Sequence, residues 1–125
     1  MYDHEVAMCV YVQLAVISGE KRQNQARDRF LLLAGIEACR AGWLEVAERC
    51  RELIVAENPG HQLHRHASMA NALRDPEFKL IANRWANYCP YEQAEHLLLQ
   101  LGYSLEGDQP ERSRGEWMLQ LLQGK

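Results

Sequence analysis

The chain has 125 residues, 47% of them hydrophobic and 25% charged, a globular balance that excludes a disordered or fibrous protein. Its formal net charge of −3 disfavours the phosphate backbone of a nucleic acid as a partner. A length of this order predicts one domain over residues 1–125 that buries its own core.

The first predicted helix spans His4 to Ser18, with Asp3 as its N-cap and Gly19 as its end. Residues 6–17 are apolar almost without interruption, so a helix here has no polar face. Such a helix lies at the centre of a fold or in a dimer interface. The same stretch is rich in β-branched residues, which leaves a buried strand as the alternative.

Neither export nor membrane insertion is predicted from this apolar stretch. It is shorter than the roughly 20 residues that span a bilayer, and acidic residues precede it where a signal peptide is basic. The four cysteines show no C-x-x-C spacing, which predicts buried thiols in a reducing compartment, so we expect a cytoplasmic protein. They are Cys9, Cys39, Cys50 and Cys89.

The next two predicted helices form a hairpin. After a polar loop over residues 19–25, the second helix spans residues 26–41 and ends at Gly42, and the third spans residues 43–57. The third helix has an unbroken apolar stripe: Trp43, Val46, Ala47, Cys50, Leu53 and Ile54. Its opposite face is charged and is predicted to be solvated, with Glu45 and Arg49 as an i,i+4 pair.

Four further helices are predicted in the second half of the chain. The fourth spans His61 to Leu73, and the fifth begins at Asp75 and Pro76, an N-cap followed by an N1 proline. The sixth begins at Pro90 and turns Leu97, Leu98 and Leu101 inward, with Gly102 at its C-cap. A loop over residues 105–111 and a Ser113–Glu116 capping box precede the last helix. The fold class is therefore all-α with about seven helices.

Helix pairs recur at roughly 30 to 35 residues, a period typical of solenoid repeats. Within residues 28–61, Gly35, Gly42, Ala47 and Pro59 have the spacing of the small-residue and proline positions of the tetratricopeptide repeat, and this segment resembles that family. The resemblance implies antiparallel helix pairs stacked as a short α-solenoid, and the alternative is a compact bundle. The following unit, residues 62–90, resembles the family less because its turn has no glycine.

The resemblance implies a concave surface, formed by the first helix of each pair, that binds a protein or peptide. Its inward positions would be Arg29, Leu32, Ile36 and Arg40, followed by Leu63, His66, Ala70 and Arg74. Among them, we expect Arg29, Arg40, His66 and Arg74 to contact a partner with acidic and hydrophobic groups. In the alternative interpretation, Leu32 and Ile36 pack against the first helix instead.

We therefore expect a non-catalytic interaction module that needs no cofactor, with no nucleic-acid or membrane partner. A second hypothesis is a self-associating homodimer, which would bury the apolar first and sixth helices. A third is a metal-dependent enzyme or sensor that uses the histidines His61, His64 and His66. Their spacing opposes it, because His66 lies about 200° around an ideal helix from His64.

Overall fold

The computed structural model describes residues 3–102 and 114–123, and within them it contains helices and no strand. Seven α-helices and one 3₁₀ turn follow one another along the chain. They are α1 (His4–Glu20), α2 (Asn24–Ala41), α3 (Leu44–Glu57), the 3₁₀ turn (Gln62–Arg65), α4 (Met69–Arg74), α5 (Pro76–Tyr88), α6 (Tyr91–Gln100) and α7 (Arg114–Gln123). The predicted all-α fold is confirmed, and the strand alternative for residues 6–17 is wrong.

Helix α1 begins where the sequence predicts and ends later. The Asp3 carboxylate accepts hydrogen bonds from the backbone N–H groups of Glu5 at 2.9 Å and Val6 at 3.2 Å. The predicted end at Gly19 is wrong, because the helix continues to Glu20. The chain reverses at Arg22, which has a positive φ of 61°.

Helix α1 is the centre of the fold, because its neighbours cover it on nearly every side. It packs against α2, α6 and α7. The buried residues of this helix are Ala7, Met8, Cys9, Val10, Tyr11, Val12, Gln13, Leu14, Ala15, Ile17 and Ser18. The apolar surface of α1 is therefore covered within one copy of the chain and is not left for a dimer interface.

Helices α2 and α3 form the predicted hairpin, and glycines shape it at two points. Gly42 caps α2 with a left-handed φ of 89°. At Gly35 a Cβ atom would lie 2.5 Å from Met69 Cε and 3.4 Å from Cys50 Cβ, so a larger residue here would require the flexible end of the Met69 side chain to shift. The buried stripe on α3 consists of Val46, Ala47, Cys50 and Ile54, with Trp43 and Leu53 partly buried.

The outer face of α3 is less solvated than predicted. The Glu48 carboxylate accepts a hydrogen bond from the backbone N–H of Met69 at 2.6 Å, and the Arg51 guanidinium donates to the carbonyl of His66 at 2.6 Å. Arg49 pairs with Glu52 at 3.3 Å, whereas the sequence predicts Glu45. This face therefore holds the segment that follows the hairpin.

That segment is not the single predicted helix from His61 to Leu73. Residues 62–65 form the 3₁₀ turn, His66 is extended with ψ 145°, and α4 begins only at Met69. Ser68 caps α4, because its hydroxyl accepts a hydrogen bond from Asn71 N at 3.1 Å. The Arg51 and Glu48 contacts fix the backbone on both sides of Ser68, which favours an extended connection there.

Helices α5 and α6 follow their predicted starts. Asp75 caps α5 through a hydrogen bond from Glu77 N at 2.9 Å, with Pro76 in the first turn. Gly102 follows α6 with a φ of 89°. The inward prediction holds for Leu98 and is wrong for two of its neighbours, because α6 turns its Leu98 side toward α1. The exposed fractions of those neighbours are 37% for Leu97 and 37% for Leu101.

Helix α7 closes the fold, because it packs against both α1 and α3. Helices α1, α2, α3 and α7 thus form a ring in which each helix contacts the next. At the joint, Trp43 Nε1 donates to the Glu5 carboxylate at 2.8 Å, and the backbone of Gly115 lies against the Trp43 ring. The predicted loop over residues 105–111 and the cap at Ser113 lie outside the described residues.

Among the described residues, no helix combines the length and the apolar character that crossing a bilayer requires.

The contact of Gly115 with Trp43 predicts that Gly115→Ala lowers the free energy of unfolding by about 1–3 kcal/mol. An added Cβ would overlap the Trp43 ring, whose hydrogen bond to Glu5 limits its movement. Urea unfolding followed by circular dichroism measures the change.

The matched control is Gly19→Ala, also within a helix. A Cβ at Gly19 would meet only the flexible Arg27 side chain, at 3.2 Å, so this variant should be neutral or slightly more stable. Equal stability of the Gly115→Ala variant and the wild-type chain would contradict the described docking of α7.

Candidate functional site

A groove runs between α2 and α5 and ends at the beginning of α6. We call it the α2–α5 groove. The depression next to α6 has a volume of about 240 Å³. The lining residues are Tyr11, Leu33, Ile36, Glu37, Arg40, Ala82, Asn83, Ala86, Pro90, Tyr91 and Glu92. A second depression, of about 360 Å³, continues the groove toward α4. Arg40, Ala82 and Asn83 line both depressions, and Leu73 and Lys79 line only the second.

Tyr11 of α1 lines the groove from below and attaches the end of α5 to the core. Its hydroxyl donates a hydrogen bond to the carbonyl of Cys89 at 2.8 Å. Burial raises the pKa of Tyr11 far above its ordinary value, and nearby Cys89 and Glu37 add to the rise. The phenol therefore stays protonated and serves as a fixed donor.

Glu37 is a charged residue inside an otherwise apolar run of α2, and its exposed fraction is only 7%. His4 Nδ1 lies 2.6 Å from its Oε1 atom, and because a carboxylate only accepts, the imidazole donates. Arg40 Nη1 lies 3.9 Å from the other carboxylate oxygen. These contacts offset the burial of the carboxylate and join the start of α1 to α2.

The structure places two of the four predicted contact residues on the groove side of α2. Arg40 lines the groove, and 52% of its side chain is exposed. Arg29, eleven residues earlier and thus on the same helix face, stacks over the Trp85 ring of α5 at 4.6 Å. This cation–π contact holds α2 and α5 together at the other end of their interface.

The other two predicted contacts lie toward α4. His66 Nε2 is 3.6 Å from Asp75 Oδ2, and the imidazole meets the buried Phe78 ring edge-on at 5.8 Å. Arg74 is exposed at the end of α4. The four basic residues are therefore spread over α2, α4 and the connection before α4, and only Arg40 lines the groove.

Three apolar residues of the predicted concave surface are core residues: Leu32, Ile36 and the fully buried Leu63. The exposed fraction is 1% for Leu32 and 4% for Ile36, as the packing alternative predicts. Ile36 still borders the groove. The sequence does not predict four of the lining residues: Tyr11, Glu37, Tyr91 and Glu92. Only Glu37 gives a signal there, as a lone carboxylate in an apolar helix segment.

A larger cleft of about 570 Å³ lies between α1, α3 and α7. Its charged residues are two acids and two bases, and Arg27 lies 3.5 Å from Glu57 across it. None of the four predicted contact residues lines this cleft.

The cysteines are free thiols in environments that do not activate them. Burial raises the pKa of Cys50 to about 12 and also raises that of Cys89. Burial likewise raises the pKa of Cys39 to about 11, with Glu48 adding to the rise and Arg40 opposing it. A nucleophilic cysteine needs a lowered pKa instead.

The three histidines considered as metal ligands have separate surroundings. His61 Nδ1 accepts a hydrogen bond from Leu63 N at 3.1 Å, His64 is exposed, and His66 faces Asp75. Within residues 3–102 and 114–123, no three His, Cys, Asp or Glu side chains are grouped so as to hold a metal ion.

Comparison of the chain with protein-family profiles, curated proteins and solved structures finds no match. The resemblance of residues 28–61 to a tetratricopeptide repeat therefore stays a prediction.

The raised pKa of Cys39 predicts a thiol whose alkylation by iodoacetamide accelerates about tenfold per pH unit from pH 7 to pH 10 without levelling off. Since Cys9, Cys50 and Cys89 are buried, peptide mapping of the singly modified chain should find Cys39. A rate that levels off near pH 9 would show that this thiol is not held as described. Circular dichroism at each pH is the control for folding.

Proposed function

We propose that this chain is a non-catalytic module that binds a protein or peptide segment in the α2–α5 groove. One concave surface combines apolar walls with charged rims, and this combination supports the proposal. Leu33, Ile36, Ala82 and Ala86 supply the apolar walls, a composition typical of binding sites.

The sequence resemblance supports the same surface. In the tetratricopeptide-like interpretation, the first helix of the best-matched pair faces the ligand, and this helix is α2. Its groove side carries Ile36 and Arg40, two of the positions expected to face inward. We also place the protein in the cytoplasm, and the free state of all four cysteines supports this proposal.

Filling the groove should abolish binding without unfolding the chain. We expect Ala86→Trp to lose a partner that the wild-type chain captures from a lysate of the source cells, because Ala86 is exposed and lines the groove. The matched control is Asn87→Trp, whose site is also exposed on α5 but does not line the groove. Mass spectrometry identifies the captured proteins.

Circular dichroism should show equal helix content in all three chains. A partner retained by the wild-type chain and by Asn87→Trp, and lost by Ala86→Trp, supports the proposal. An identical set of captured proteins from all three chains would show that the groove is not the binding surface.

A second candidate function is self-association, which the exposed leucines of α6 favour. The exposed fractions are 37% for Leu97, 50% for Leu99 and 37% for Leu101. A two-fold dimer would cover such side chains with their own copies. Since α1 is covered within the chain, this hypothesis now depends on α6 alone.

Light scattering at high micromolar concentration distinguishes the two candidates. Self-association predicts twice the chain mass for the wild type and the single mass for Leu99→Glu, because a charge in an apolar interface is strongly unfavourable. Gln100→Glu, at the neighbouring exposed position, is the control for added charge. A single mass for the wild-type chain would exclude the dimer.

A further inference from the structure

The two depressions of the α2–α5 groove differ in the charged residues that line only one of them. Toward α4, Lys79 lines the depression beside Leu73, whereas Arg40 lines both depressions and lies 3.9 Å from the Glu37 carboxylate. Both basic side chains are exposed. This half of the groove, which we call the basic end, attracts an acidic group.

Toward α6 the lining becomes acidic and aromatic. Glu92 is exposed there, Tyr91 is partly buried beside it, and the carboxylate of Glu37 lies deeper. Burial and its hydrogen bond with Glu95 raise the pKa of Tyr91 far above the ordinary value, so the ring stays neutral. A carboxylate next to a neutral aromatic ring attracts an ammonium or guanidinium group. We call this half the acidic end.

The apolar residues between the ends set a length scale. Lys79 and Ala86 are seven residues apart on α5, and at ~1.5 Å of rise per residue they are separated by about 10 Å along the helix axis. An extended peptide covers ~3.3 Å per residue, so about three residues bridge this distance.

We infer that the groove binds an extended peptide segment carrying a basic and an acidic side chain on either side of about three apolar residues. The basic side chain lies at the acidic end, beside Glu92 and Tyr91. The acidic side chain lies at the basic end, beside Lys79 and Arg40. This inference rests on the proposed function and adds the chemistry of its partner.

A displayed library of random twelve-residue peptides, selected against the full chain, tests this inference. The enriched peptides should carry the basic and acidic pair at the stated spacing, and they should not bind Ala86→Trp. Affinities of one enriched synthetic peptide are then measured by fluorescence anisotropy on two charge-reversal variants, Glu92→Lys and Lys79→Glu.

Each reversal should weaken binding by about fivefold, the scale of one exposed ion pair. Replacing the basic residue of the peptide by alanine should remove the effect of Glu92→Lys, and replacing its acidic residue should remove that of Lys79→Glu. The matched controls Gln93→Lys and Arg84→Glu change exposed positions outside the groove and should leave the affinity unchanged.

Three outcomes overturn the inference, and they also separate it from the proposed function. The charge assignment is contradicted if the enriched peptides lack the charge pair. It is also contradicted if the charge reversals in the groove weaken binding no more than their controls do. In both cases peptide binding in the groove still stands. A library in which nothing binds the wild-type chain better than Ala86→Trp contradicts both.

Discussion

The covering of α1 on almost every side is the constraint on which the rest of the structure depends. Eleven of the seventeen residues of α1 are buried, so this helix has no polar face that could be exposed to solvent. At about 25 cal/mol for each Å² of buried apolar surface, leaving one side open would remove several kcal/mol from a small domain. The other helices are therefore arranged around it, with α2, α6 and α7 in direct contact.

The sequence predicts helix boundaries well where a local signal decides them. Asp3, Gly42 and Asp75 each act at the predicted position, through a cap bond or a left-handed φ. The prediction failed between His61 and Leu73, where the apolar spacing suits a helix. There the backbone is held by Arg51 and Glu48 of α3, contacts between residues 15 and 21 positions apart that no local pattern reveals.

The sequence predicts less of the candidate site than of the helix boundaries, because the site also depends on contacts between residues distant in sequence. Arg40 was predicted as one of the inward positions that the resemblance to a tetratricopeptide repeat implies. Tyr91 and Glu92 belong to the groove only because α6 begins beside α2, and this depends on how α6 meets α1. Glu37 is recognisable in the sequence as an isolated carboxylate. Its role in joining two helices is not, because its partner His4 lies 33 residues away.

The joint at Trp43 and Gly115 has a consequence for synthesis on the ribosome. Of the described helices, α1 is synthesised first, whereas α7, which covers part of it, is about a hundred residues later in the chain. Until residues 114–123 have emerged, the nascent polypeptide carries an uncovered apolar stripe along its first helix. During synthesis this apolar stripe is therefore exposed to other hydrophobic surfaces until α7 is available to cover it.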